Sequence, residues 1–231
     1  MDKIQSLWIG KLSPMEQFCI RSFLKHGHEF HLYTYGLIED IPTGCIVRDA
    51  NEILPELSIA KFKNLANFSD LFRLALLHRN GGWWVDMDVC CLKPFEFTSE
   101  HVFSSQYERN GNADETNNGV IRAPKNSAVM RYCIDRIAQT DTGNCGWAEI
   151  GPALAVAAVR KFGLRHEPHQ RFCPIHYFQA PGNVFGPGSD TAFFGPETFA
   201  VHLWNEEARR AGIDKFAAHP GSLFERLARL Y

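Results

Sequence analysis

The chain has 231 residues, of which 45% are hydrophobic, 13% aromatic and 22% charged, a composition that excludes a disordered chain and suits one globular domain. Its 24 Lys and Arg against 26 Asp and Glu leave a formal charge of −2, which excludes the overall basic surface of a nucleic-acid-binding protein. No apolar run approaches the roughly 20 residues of a bilayer span, the start MDKIQSLWIGKLSP lacks the pattern of a signal peptide, and the seven cysteines contain no C-x-x-C pair. The expectation is a cytoplasmic protein with reduced thiols and at most peripheral contact with the inner face of a membrane.

Residues 4–9, IQSLWI, read as a short strand. Ser13 then caps a helix, with Pro14 in its first turn and Glu16 completing a capping box, and Gly27 ends it. EFHLYTY (29–35) alternates as a second strand, so the chain opens with a β-α-β unit and the parallel sheet this implies. CIVRDA (45–50) gives a further strand. Over 57–82 the apolar positions Phe68, Leu71, Phe72 and Ala75 fall at helical spacing, and Asn80-Gly81-Gly82 stops the helix. Trp83 to Cys90 reads as one strand, closed by Pro94. Strands are expected over 101–106, 118–123, 171–178 and 199–204, and helices over 127–139, 152–162 and the C-terminal SLFERLARLY. The Gly- and Pro-rich segment 180–190 reads as an active-site loop.

Within GGWWVDMDV (81–89), Asp86 and Asp88 stand among apolar neighbours. On a strand, side chains at i and i+2 share a face, so the two carboxylates project together while Val85, Met87 and Val89 point the other way. Like charges that close repel unless a divalent cation or a set of donors neutralises them, and a hard cation such as Mg2+ or Mn2+, bound through carboxylate and diphosphate oxygens, answers that need. The alternative is a strand end with two solvated aspartates. Upstream, Asp70 and Arg73 are spaced i, i+3 on the polar side of an apolar helix, either as part of a site or as a surface ion pair.

ANFSDLFRLALLHRNGGWWVDMDV (66–89), LWIG (7–10) and AVHLWNEEARRAG (200–212) together resemble the D-x-D sugar-binding glycosyltransferases. This is glycosyltransferase family thirty-two, related to capsule and lipopolysaccharide sugar transferases, yeast-type mannosyltransferases and clostridial glucosylating toxins. The resemblance implies an α/β GT-A fold, a Rossmann-like mixed sheet flanked by helices in a single domain. Residues 1–95 would bind the nucleotide sugar, and residues 96–231 would form the acceptor side and close the site.

The same resemblance implies a nucleotide-sugar donor, most often a UDP-sugar, with Mn2+ or Mg2+. Carried over residue by residue, Trp8 would stack on the nucleobase, the alternative being a core tryptophan. Asp70 would bind sugar or ribose hydroxyls, and Arg73 the donor sugar or diphosphate through its planar fork. Trp84 stands where the family usually has tyrosine, keeping a stacking surface without the hydroxyl. Asp86 would bind donor hydroxyls and Asp88 the metal, with His202 and Asn205 as further metal contacts. Trp204 would close over the diphosphate, Asn118 would line the acceptor side of the donor sugar, and Glu149 and Gly151 would lie near the site.

The implied reaction is transfer of a hexosyl group to an acceptor hydroxyl with retention of configuration, in cell-surface polysaccharide or lipopolysaccharide synthesis. Asp86, Asp88 and Arg73 would carry the chemistry, with Asp114 and Glu115 as candidates for orienting the acceptor. A nucleotide-sugar-binding module without turnover and an effector-like enzyme glycosylating a protein are the alternatives. A carboxylate-pair glycosidase needs two acids facing each other across a bond about 5 to 9 Å apart, which neighbours on one strand do not provide. Arg209, Arg210, Lys215, Arg226 and Arg229 read as an ordinary solvated face, or as a surface for anionic lipid-linked acceptors.

Overall fold

A computed structural model describes residues 3–146, 148–188 and 194–231. Six strands form one mixed sheet in the order β3-β2-β1-β4-β7-β6. They are β1 (Ile4–Leu7), β2 (Phe30–Thr34), β3 (Ile46–Asp49), β4 (Gly82–Val85), β6 (Val102–Glu108) and β7 (Ala113–Ala123). The first four in that order run parallel, and β7 joins β4 and β6 antiparallel. The strand β5 (Val89–Cys91) pairs antiparallel with β8 (Ala200–His202) in a second, two-stranded sheet.

The opening β-α-β unit forms as its local signals require. Ser13 accepts from the Met15 amide and Glu16 closes the capping box at the start of α1 (Pro14–Lys25). The two adjacent tryptophans divide the core, because neighbouring strand residues face opposite sides of a sheet. Trp83 packs edge-on against Phe95 and Phe97 on the side of α1 and the C-terminal α7 (Leu223–Leu230). Trp84 packs against Phe72 of α2 (Leu65–Asn80), on the side that also holds α3 (Ala128–Ile137) and α4 (Pro152–Lys161). Gly81 ends α2 at φ 66°, where a Cβ would lie 2.6 Å from the Lys125 amide nitrogen.

The structure corrects four expectations. Trp83 to Cys90 is not one strand: β4 ends at Val85, the Val89 amide donates back to the Asp86 carbonyl at 3.0 Å, and β5 leaves in the other sheet. The helix over 57–82 begins only at Leu65, capped by Asn64, after a 3-10 turn over Glu56–Lys61. Residues 171–178 form no strand, since Pro174 cannot donate to a ladder; the segment instead runs beside β8, accepting from the Phe199 and His202 amides. Segment 180–190 begins with a short helix, α5 (Ala180–Phe185), and residues 189 and 190 lie outside the described residues. The strands expected over 101–106 and 118–123 are present and longer, and they pair as an antiparallel hairpin.

Strand order reverses between β1 and β4, and in such sheets ligands bind in the crevice outside the carboxyl ends of the strands at that point. Asp86 directly follows β4 at this edge.

Candidate active site

A cleft of about 550 Å³ opens at this edge, and Asp70, Arg73, Asp86, Asp88, Asn118 and His202 all line it. The turn after β4, and not the two-residue strand period, gathers the two aspartates. The β5–β8 pairing sets Val89 opposite His202 and so delivers an imidazole from 114 residues later beside Asp88. His202 Nε2 lies 3.2 Å from Asp88 Oδ1, and the Asn205 amide donates to Asp88 Oδ2 at 2.8 Å. Ligand atoms of Asp86, Asp88 and His202 lie within 4.8 Å of one another, a donor set of two carboxylates and an imidazole that fits a divalent cation such as Mn2+.

Arg73 is the hub behind this cluster. Its guanidinium sits 3.0 Å from Asp86 and 3.3 Å from Asp70, and donates to the Asn118 carbonyl at 2.6 Å. Of the two readings of Asp70 and Arg73, the surface ion pair is excluded, for both side chains are buried. The fork expected to reach a donor is therefore engaged within the protein by Asp86, Asp70 and the Asn118 carbonyl. The Trp84 indole N–H also donates to Asp86 Oδ1 at 2.8 Å. Trp84 itself is 1% exposed and its ring is in the core, so it meets Asp86 and not the cleft.

Charge in the site is strongly perturbed. Burial pushes Asp70 up to about 6, against the pull of Arg73, with Asp86 adding to the rise. Burial also raises Asp86, again opposed by Arg73. Burial works against ionising Asp88 and His202 alike, yet each sustains the other: His202 and the Asn205 amide hold Asp88 well below the usual carboxylate range, and Asp88 holds His202 well above the usual imidazole range. A metal bound here must displace the His202 proton, so its affinity falls with acid.

Two predictions arise from Asp70. Its folded-state pKa lies above its unfolded one, so the penalty for carrying a buried charge is absent below about pH 4 and complete above about pH 6. Asp70→Asn is expected to be more stable than wild type at pH 7 by up to about 3 kcal/mol, with the difference closing by pH 4. Urea titrations at both pH values check this, and a pH-independent difference contradicts it. At Gly151, just before α4, an added Cβ would lie 2.5 Å from Asp70 Oδ2. Gly151→Ala is expected to cost about 1–3 kcal/mol through overpacking, read from the shift in urea midpoint.

Other expected site residues are placed as follows. Asn118 donates to Asp70 at 2.8 Å and lines the cleft. Trp204 lies in the cleft wall, stacked on His202 at 4.0 Å and held by its N–H on the Ile175 carbonyl. Asn205 reaches Asp88 through its backbone amide. Glu149 accepts from the Gly146 amide, outside the cleft lining. Glu115 lines the cleft, whereas Asp114 is held by the His169 amide and imidazole. Trp8 is not brought to the cleft: Lys215 lies 4.7 Å from its ring centroid and its N–H donates to Lys11.

Gln106, Asn117 and Tyr177 join the lining without having been anticipated. Asn117 stands beside Asn118 in the sequence, and its side-chain Oδ1 accepts from the Gly119 amide at 2.6 Å. The late basic residues are largely neutralised in place: Arg209 and Arg210 pair with Glu206, Lys215 with Glu16 and Arg229 with Glu225. Arg210 also lines the cleft, and Lys215 is largely buried against Glu16. No helix among the described residues is long and apolar enough to cross a membrane.

The family model described as capsular polysaccharide synthesis protein matches residues 50–139, a span that takes in α2, the aspartate turn and the β6–β7 hairpin. Among solved structures, the PaToxG glycosyltransferase superposes with a TM-score of 0.53 at 16% identity, over 70% of this chain and 69% of that one. The fold is that of glycosyltransferases. A second structure, a transferase mutant, superposes with a TM-score of 0.50 at 10% identity, over 71% of this chain and 86% of that one. No curated protein matches the chain.

Proposed function

We propose that the protein is a metal-dependent, retaining glycosyltransferase. It would move a hexosyl group from a nucleoside diphosphate sugar, with uridine as the base, to a hydroxyl of a glycan or lipid-linked glycan in cell-surface polysaccharide synthesis. The observation that carries this reading is the cluster of Asp86, Asp88 and His202 at the carboxyl edge of a glycosyltransferase-like sheet, backed by Arg73. The match of residues 50–139 to a capsule-synthesis family supports the polysaccharide context.

Asp88 and His202 would hold the cation, with Asp86 beside them meeting donor hydroxyls. A divalent cation bound there supplies Lewis-acid neutralisation of charge on the departing diphosphate. Arg73 keeps Asp86 in place and adds a fixed positive potential behind the cluster. In the transfer, the acceptor oxygen bonds to the anomeric carbon and the bond to the β-phosphate oxygen breaks, its electron pair leaving on the nucleoside diphosphate. The hydroxyl proton passes to that leaving phosphate. Residues 1–95 would contribute most of the donor side and residues 96–231 the acceptor side, with His202 crossing between them.

The test is donor hydrolysis and transfer by the wild-type chain across the common nucleotide sugars, with turnover read by product mass and the configuration of the new glycosidic bond by the anomeric proton coupling in NMR, with Mn2+ and with EDTA. Turnover that depends on Mn2+ and yields an anomer matching the donor is the expected result. Absence of turnover with every donor would instead assign a nucleotide-sugar-binding module.

A further inference from the structure

A second cavity, of about 640 Å³, adjoins the cleft and shares Glu108, Glu115, Thr116 and Val156 with it. This volume lies in the range of about 300–1,000 Å³ typical of small-molecule sites. Its wall is built, not a loose surface fold. Segment 164–167 is tied to β6 by the Glu167 amide on the Phe103 carbonyl at 2.8 Å and by Ser105 Oγ on the Glu167 carbonyl at 2.6 Å. His166 Nδ1 is within 3.0 Å of Thr116 Oγ1.

Charge is arranged asymmetrically across it. Glu108, which the cleft shares, is already oriented by Gln106 and Tyr177, and Asp114, which lines the second cavity alone, by His169. On the outer side stand Arg160, in the last turn of α4, and Arg165; both are exposed and neither guanidinium has an ion pair or hydrogen bond among the described residues. Their neighbour Lys161 points elsewhere, lying over the Tyr132 ring at 5.2 Å. Carboxylates suit sugar hydroxyls as donors, and unpaired guanidinium forks suit a carboxylate or phosphate.

We infer that this cavity is the acceptor subsite and that it takes a saccharide bearing an anionic group, with its hydroxyl directed toward Glu115 and the cleft and its anion held by Arg160 and Arg165. The inference rests on the proposed glycosyl transfer for the meaning of "acceptor", but the cavity's preference is testable without it.

The test measures binding of glucose, glucuronic acid and glucose 6-phosphate to the full chain by saturation-transfer NMR, with neither donor nor metal present. Titrations at roughly 0.05 M and 0.5 M NaCl vary the screening. The expected result is at least tenfold tighter binding of the acidic sugars at low salt, reduced at high salt and abolished in Arg160→Glu/Arg165→Glu. The two acidic probes distinguish a carboxylate from a phosphate preference, and Arg160→Gln and Arg165→Gln give the same answer at smaller amplitude. Equal binding of all three sugars, or a preference that survives both arginine substitutions, overturns the inference. Failure of the transferase reading shows separately, as absence of donor turnover by wild type.

Discussion

Asp88→Asn is expected to lower Mn2+-dependent turnover about a thousandfold, the equivalent of about 4 kcal/mol of transition-state stabilisation, while leaving the fold intact. The reason lies in what surrounds the residue. One Asp88 oxygen faces His202 at 3.2 Å and the other accepts the Asn205 amide at 2.8 Å. Asparagine keeps the size and one acceptor, so β5 and β8 remain joined, but the negative charge that draws a cation is lost. Circular dichroism and a urea midpoint near wild type establish the fold, and rates across an Mn2+ titration establish the defect. An Asn variant with full Mn2+-dependent turnover would remove Asp88 from the metal site and with it the main support for the proposed mechanism.

Arg73→Met is expected to destabilise the protein by about 3–5 kcal/mol, because it removes the one partner that the buried Asp70 and the half-buried Asp86 share. Asp70 and Asp86 both rest on that guanidinium, and the Asn118 carbonyl loses its donor as well. Methionine preserves volume, so the cost reports charge and hydrogen bonding more than packing. The measurement is a double-mutant cycle by urea unfolding at pH 7: Asp70→Asn should stabilise the Arg73→Met variant by more than it stabilises the wild type, because without the guanidinium the Asp70 charge has lost its counter-ion. Additive effects would show that Arg73 and Asp70 are energetically independent despite their 3.3 Å separation. Arg73→Lys should fall between, since an ammonium cannot reproduce a fork that serves three partners.

Much of the scaffold was legible locally. Ser13, Pro14 and Glu16 specify the start of α1 because a capping box is satisfied within four residues, and Gly81 specifies the end of α2 because its positive φ is a backbone requirement. The resemblance also named Asp70, Arg73, Asp86, Asp88 and His202 together, and the structure brings all five to one cleft. Their geometry was not legible. A two-residue repeat predicts one strand face for Asp86 and Asp88, whereas β4 ends between the core tryptophans and the aspartates, and the chain turns toward a second sheet.

The amino-acid sequence by itself therefore determined the elements whose signals lie within one turn of helix or one strand, and the identity of the charged residues. Only the tertiary structure decided what those residues do to one another. It buried Arg73 and made it a shared counter-ion, carried His202 across to Asp88 through the β5–β8 ladder, and placed Lys215 against Trp8. The physical reason is that charge interactions and desolvation depend on distance and burial, and these are set by contacts between residues far apart in the chain.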